Sequence, residues 1–193
     1  MSEAPGVERG FPIPSNEEER LAVLRSYQIL DTQPESCYDE VVQMIQRILD
    51  VPIVVLSFLD ADRQWFKAKV GWDQAETSRG VSICTFAIMQ STPFVVEDAS
   101  RDERFQSNPY VAGEPHLRFY AGIPLMTHSG LALGTICALD FHPRRIGYRE
   151  LEIMSSVARL VVRFLDVRKA ALEDPFTGRP LPERLRDTYN DAA

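Results

Sequence analysis

The sequence predicts an α/β domain of the α+β kind, an antiparallel sheet with helices on both faces. Three stretches carry that expectation. Residues 117–140 alternate as a β-hairpin, with Phe119, Ala121, Ile123 and Leu125 on one face of the first half and Arg118, Tyr120, Gly122 and Pro124 on the other. Residues 53–59 are apolar except for Ser57, as a central strand covered on both faces requires. Residues 148–172 repeat apolar positions at helical spacing along two stripes.

The 193 residues suit one domain with short extensions, and 45% hydrophobic residues supply a sizeable core. A net charge of −7 argues against a nucleic-acid-binding surface, which needs a basic face. No apolar run reaches the roughly 18 residues needed to span a bilayer, and the first residues lack a signal-peptide pattern. Cys37, Cys84 and Cys137 are odd in number and far apart, which fits free thiols in a reducing compartment. The expectation is a cytoplasmic protein binding neither nucleic acid nor membrane.

Taken in order, residues 1–14 hold three prolines and two glycines and predict a disordered arm. Ser15 and Glu18 have capping-box spacing, and a first helix with Leu21, Leu24, Tyr27 and Leu30 on its apolar side should end before Pro34. Ser36 and Asp39 repeat the cap for a second helix, whose expected buried face is Tyr38, Val41, Val42, Ile45, Ile48 and Leu49. Strands follow at 53–59 and 64–70, then a loop at 71–81, a short helix at 82–90 and a strand at 94–97. Residues 99–117 are rich in turn residues. So long an irregular connection has a task, commonly covering a pocket. In the second half of the hairpin, Leu131, Leu133, Thr135, Cys137 and Leu139 should share one face, after a turn at His128-Ser129-Gly130. One stripe of the last helix can pack on the sheet. The other, at near-heptad spacing, needs the N-terminal helix or a second copy.

Several phrases resemble those of GAF domains, the small sensory modules of bacterial signalling proteins. Asp102-Glu103-Arg104-Phe105, Asn108-Pro109, Val111, Gly113, Pro115 and Arg118 through Leu125 form one ordered run. The phrases VSFLDADRQWFKAKVG and Arg20 to Thr32 extend the likeness over about residues 17–172. The resemblance implies a sheet of about six strands and terminal helices that often pair in a homodimer. It also implies a non-enzymatic sensory role, with a small molecule or a signalling protein as partner. The domain is expected at 15–172. Residues 173–180, EDPFTGRP, are similar to the opening of GGDEF diguanylate cyclase domains, so 173–193 reads as a remnant of one, with no cyclase after Ala193.

No catalytic signature stands out: G-x-S-x-G, the P-loop and G-x-G-x-x-G are all missing. His116, His128 and His142 stand singly, so no metal site is expected. Ligand-site candidates are Cys84, Phe86, Asp98, Arg104, Tyr110, His116, Arg118, Tyr120 and Cys137, drawn from the irregular loop, the short helix and the hairpin. An arginine beside the small residues of the sheet suits an anionic or planar ligand. Equally, Asp98 and Arg104 can pair with loop backbone and Arg118 can staple the loop to Asp98 or Asp102. The identity of any cofactor is unknown at this level. In phytochrome-like GAF domains the bilin-bearing cysteine is normally followed by histidine, whereas Cys84 is followed by Thr85 and Phe86. Free methionine-(R)-sulfoxide reductases carry cysteines on the loop that here spans 99–117 and has none. A cysteine-based redox enzyme and a purely structural dimerisation module remain as alternatives.

Overall fold

The computed structural model describes residues 10–172, and among them the strands join in one antiparallel sheet. The chain runs α1 (Glu17–Ser26), α2 (Ser36–Leu49), β1 (Ile53–Leu59), β2 (Arg63–Val70), β3 (Glu76–Ser78), α3 (Cys84–Ala87) and β4 (Phe94–Val96). It continues through α4 (Pro109–Ala112), β5 (Phe119–Met126), β6 (Ala132–Asp140) and α5 (Tyr148–Leu172), with 3-10 turns at Arg79–Val81 and Ala99–Arg101. The six strands are ordered β3-β2-β1-β6-β5-β4. Helices α1, α2 and α5 cover one face through Leu24, Val42, Ile45, Met154, Val161 and Leu165. Helix α3, α4 and their loops cover the other through Cys84, Ala87 and Val111. Each fully buried leucine or isoleucine in these layers contributes about 1.5–3 kcal/mol.

Two bulges set the register. Leu56 pairs with Ala68 and Ser57 with Phe66, which leaves Lys67 without a partner residue on β1. In the hairpin, Pro124 pairs with Thr135 but Met126 with Ala132, so β6 holds one residue more than β5. Simple alternation places Leu133 beside Thr135 and Cys137. The bulge instead turns it into the α5-side core with Ile136 and Ala138. A glycine is needed at that kink, because a Cβ on Gly134 would lie 2.0 Å from the Ser57 carbonyl oxygen. Gly130 takes φ +81° in the hairpin turn, as its place there requires.

Other expectations are corrected. Neither capping box forms: Asn16 and Glu35 are the N-caps, and neither gives a side-chain cap bond. Helix α1 stops at Ser26, well before Pro34, because Gln28 enters the left-handed region at φ 49°. Ile48 lies exposed on α2. Residues 71–81 contain the edge strand β3 rather than a loop alone, paired through Arg63 and Ser78. The short helix after it spans Cys84–Ala87 only. At the inner end of the arm Phe11 is buried, with the Arg79 guanidinium 5.2 Å over its ring. The GGDEF-like tail lies outside the described residues. Among the described residues no helix is long and apolar enough to cross a membrane.

Candidate functional site

A polar chain crosses the sheet face beneath α3. Ser57 is the one polar residue of β1, and its hydroxyl accepts from Gln64 Nε2 at 2.7 Å. The same amide donates to Cys84 Sγ at 3.1 Å, and its oxygen accepts from the Ser82 hydroxyl. From β5 the Tyr120 hydroxyl donates to Cys84 Sγ at 3.2 Å. From β6 the Cys137 sulfur lies 3.7 Å from that of Cys84. All of these groups are buried. Buried polar atoms without partners are costly, so the chain locks α3 onto the sheet.

The thiols titrate apart. Burial pushes the Cys84 thiol up, but donors from Cys137, Thr135, Tyr120 and Gln64 converge on its sulfur and bring it down to about 6. Cys137 is held well above the usual thiol range, by its bond to Cys84 and by burial. Cys37 is exposed and its thiol is raised, first by partial burial and then by the Glu35 carboxylate.

Above the sulfurs lies a cavity of about 50 Å³, walled by Val55, Phe66, Ile83, Leu117 and Leu139 besides the polar chain. That volume holds one or two water-sized molecules. Trp72 and Tyr110, packed edge to face at 5.3 Å, separate it from a surface groove of about 290 Å³. Tyr110 is tethered by its hydroxyl to Gln74 Oε1 at 2.8 Å. Among the described residues the buried Trp72 Nε1–H finds no acceptor. The room expected over Gly122 is taken by Tyr120, whose hydroxyl stands 2.1 Å from where a Cβ there would be.

Of the sequence candidates, Cys84, Tyr110, Tyr120 and Cys137 come together at this cavity. The other five do not line it. Phe86 packs on Phe105, ring centroids 4.9 Å apart. Asp98 caps the Ala99–Arg101 turn by accepting from the Ser100 backbone N–H at 3.1 Å, and it accepts from the Ser100 hydroxyl as well at 2.6 Å. Arg104 pairs with Asp102 at 2.6 Å and lies over the Phe94 and Phe105 rings. Arg118 staples the cover loop, donating to the Val111 and Leu117 carbonyls at 3.0 and 2.9 Å rather than to an aspartate. His116 is exposed, 3.7 Å from the Glu114 carboxylate. Sequence reasoning misses Gln64, Trp72, Ser82 and Thr135 as site residues. Only Ser57 carries a signal, as a lone hydroxyl in an apolar strand.

Comparison with known proteins agrees with this architecture. The GAF domain family matches residues 33–165. A cyclic di-GMP phosphodiesterase of Pseudomonas aeruginosa is 39% identical over 177 residues, 91% of this chain. The chain spans 30% of that relative's length. This match overturns the expectation of a non-enzymatic protein, because the relative that aligns with 91% of this chain is named as an enzyme. Among solved structures, the GAF domain of a phosphoenolpyruvate-protein phosphotransferase from Coxiella burnetii superposes with a TM-score of 0.60 at 17% identity, covering 81% of this chain and 98% of that one. A free methionine-R-sulfoxide reductase from Neisseria meningitidis gives 0.60 at 14% identity, covering 89% and 98%. At such identities the likeness is one of fold.

Proposed function

The chain belongs to the GAF domain family, and on that footing we propose that it is the regulatory portion of an enzyme of cyclic di-GMP turnover. A GAF domain is a sensory or regulatory unit, and residues 15–172 form that unit in this reading. The observation that carries the proposal is the 39% identity along 91% of this chain to a cyclic di-GMP phosphodiesterase, of which the matched portion is under a third. The signal it reads is a small molecule held between the cavity and the groove outside it. Its recognition chemistry is an acceptor atom for Trp72 Nε1–H and a planar or apolar body between Trp72 and Tyr110. Cys84, Tyr120 and Cys137 form the inner wall.

The output runs through α5. Ile153, Leu160 and Val167 recur every seven residues and are exposed, Val167 at 65%. That stripe fits a parallel partner helix from a second copy, so a cytoplasmic homodimer through the terminal helices belongs to the proposal. A signalling protein is the alternative occupant.

The test is native mass spectrometry of the purified chain beside its Trp72→Phe variant. A releasable extra mass on the wild type that is lost from the variant supports the sensor. No extra mass on either, and no rise in melting temperature across a metabolite collection, removes the ligand from the proposal. The packing of Tyr120 over Gly122 favours a second reading in that event, a dimerisation module whose pocket is filled by its own side chains.

A further inference from the structure

The two buried thiols have no role in the ligand reading beyond forming a wall, yet their arrangement is specific. Cys84 opens α3 and Cys137 sits in mid-strand on β6, 53 residues apart in sequence, with sulfurs in van der Waals contact at 3.7 Å. Two neighbours direct hydrogens at Cys84 Sγ, the Tyr120 hydroxyl and the Gln64 amide, and the Cys137 sulfur stands beside it at 3.7 Å. A thiol with its own hydrogen and weak acceptor power does not need two such donors. A thiolate does. Both sulfurs wall the 50 Å³ cavity, which admits molecules of about the size of water.

We propose that Cys84 and Cys137 are a redox-active dithiol, converted to an intramolecular disulfide by a small peroxide that enters the cavity. The Cys84 thiolate attacks one peroxide oxygen, and the O–O bond breaks. Cys84 becomes a sulfenic acid, and the departing hydroxide takes a proton to become water. The Cys137 sulfur then attacks the Cys84 sulfur. The S–S bond forms, the S–OH bond breaks, and the leaving hydroxide takes the Cys137 proton to leave as the second water. Overall the two thiols give up two electrons and two hydrogens, and the peroxide is reduced to two waters. A low-molecular-weight thiol reverses the step by exchange. Closing the sulfurs from 3.7 Å to the bond length of about 2.05 Å draws the one-turn helix α3 toward the sheet. It also takes the thiolate acceptor from Tyr120 and Gln64. Trp72, across the cavity, is the natural reporter.

This proposal stands whether or not the cavity takes a metabolite. Its test is to treat the folded, reduced chain with a small excess of hydrogen peroxide, quench in denaturant with an alkylating maleimide, and weigh the intact protein. The expected result is that alkylated cysteines fall from three to one, with Cys37 the labelled residue and a peptide map joining Cys84 to Cys137. The rate should rise with pH through about 6. Cys37→Ser should leave the reaction unchanged. Cys137→Ser should halt it at a Cys84 sulfenic acid that a dimedone probe captures. Three alkylated cysteines after treatment, or a crosslink through Cys37 only, overturns the proposal on the wild-type protein, whatever the folding of the variants.

Discussion

The Ser57 carbonyl oxygen lies 2.0 Å from the point that a Cβ on Gly134 would occupy, so β1 and β6 approach at a distance only glycine permits. The neighbouring contact is backbone as well, the Phe58 Cα at 2.9 Å. Nothing there can rotate away. Gly134→Ala must push the central strands β1 and β6 apart and unseat the bulge that turns Leu133 inward. We expect a loss of about 3 kcal/mol, the upper end for overpacking a tight core. The urea midpoint measures it. A variant within about 1 kcal/mol of the wild type, the size of an ordinary substitution effect, would mean that the strands separate easily.

Lys67, the unpaired residue of the β2 bulge, is buried with its ammonium 2.6 Å from the Glu35 carboxylate. It donates also to Thr32 Oγ1 at 2.9 Å and to the Gln33 carbonyl at 2.7 Å, so its three hydrogens are all placed. Lys67→Ala leaves Glu35 facing the core without that partner and should destabilise by about 3–5 kcal/mol. The double variant Glu35→Gln with Lys67→Met, which removes both charges, should be less destabilised than Lys67→Met alone, and with the Glu35→Gln single it closes the cycle that measures the coupling by urea midpoints.

Glu17 is pulled two ways. Burial raises its carboxyl, and the guanidinium groups of Arg20 and Arg79 override that and hold it at about 2, against 4.5 in the open chain. The stability it contributes is therefore complete above pH 4.5 and is lost as the pH falls through about 2. Glu17→Gln should flatten the acid limb of the stability profile over that window. At neutral pH it should cost less than the roughly 3 kcal/mol of breaking a fully buried pair, because the Glu17 side chain keeps some contact with solvent. Urea midpoints at several pH values decide it. An unchanged acid limb would place the titration elsewhere.

Leu160 lies at the middle of the exposed α5 stripe. Leu160→Glu should turn a dimer into monomers in sedimentation while altering the stability of the monomer fold by no more than about 0.5 kcal/mol, as for a surface position. A wild-type chain that sediments as a monomer at high concentration would transfer that stripe to a different partner.

The sequence by itself determined the elements with strong local periodicity. The apolar run of β1, the hairpin with its turn at Gly130, and α5 from Tyr148 to Leu172 were all legible, since period and length act over neighbouring residues. So was the family, carried by phrases such as that from Arg118 to Leu125. Only the tertiary structure decided the rest. Leu133 changed faces because a bulge, invisible to a period of two, adds a residue to β6. Arg20 and Arg79 are buried because each meets Glu17, and Arg79 does so across 62 residues. The candidate site divided for the same reason. Cys84, Tyr120 and Cys137 face inward on packed elements and meet. Asp98, Arg104 and Arg118 spend their hydrogen bonds on the turns and backbone of the loop that carries them. A charged side chain on an irregular segment satisfies the nearest backbone first, and which neighbour is nearest is a property of the fold.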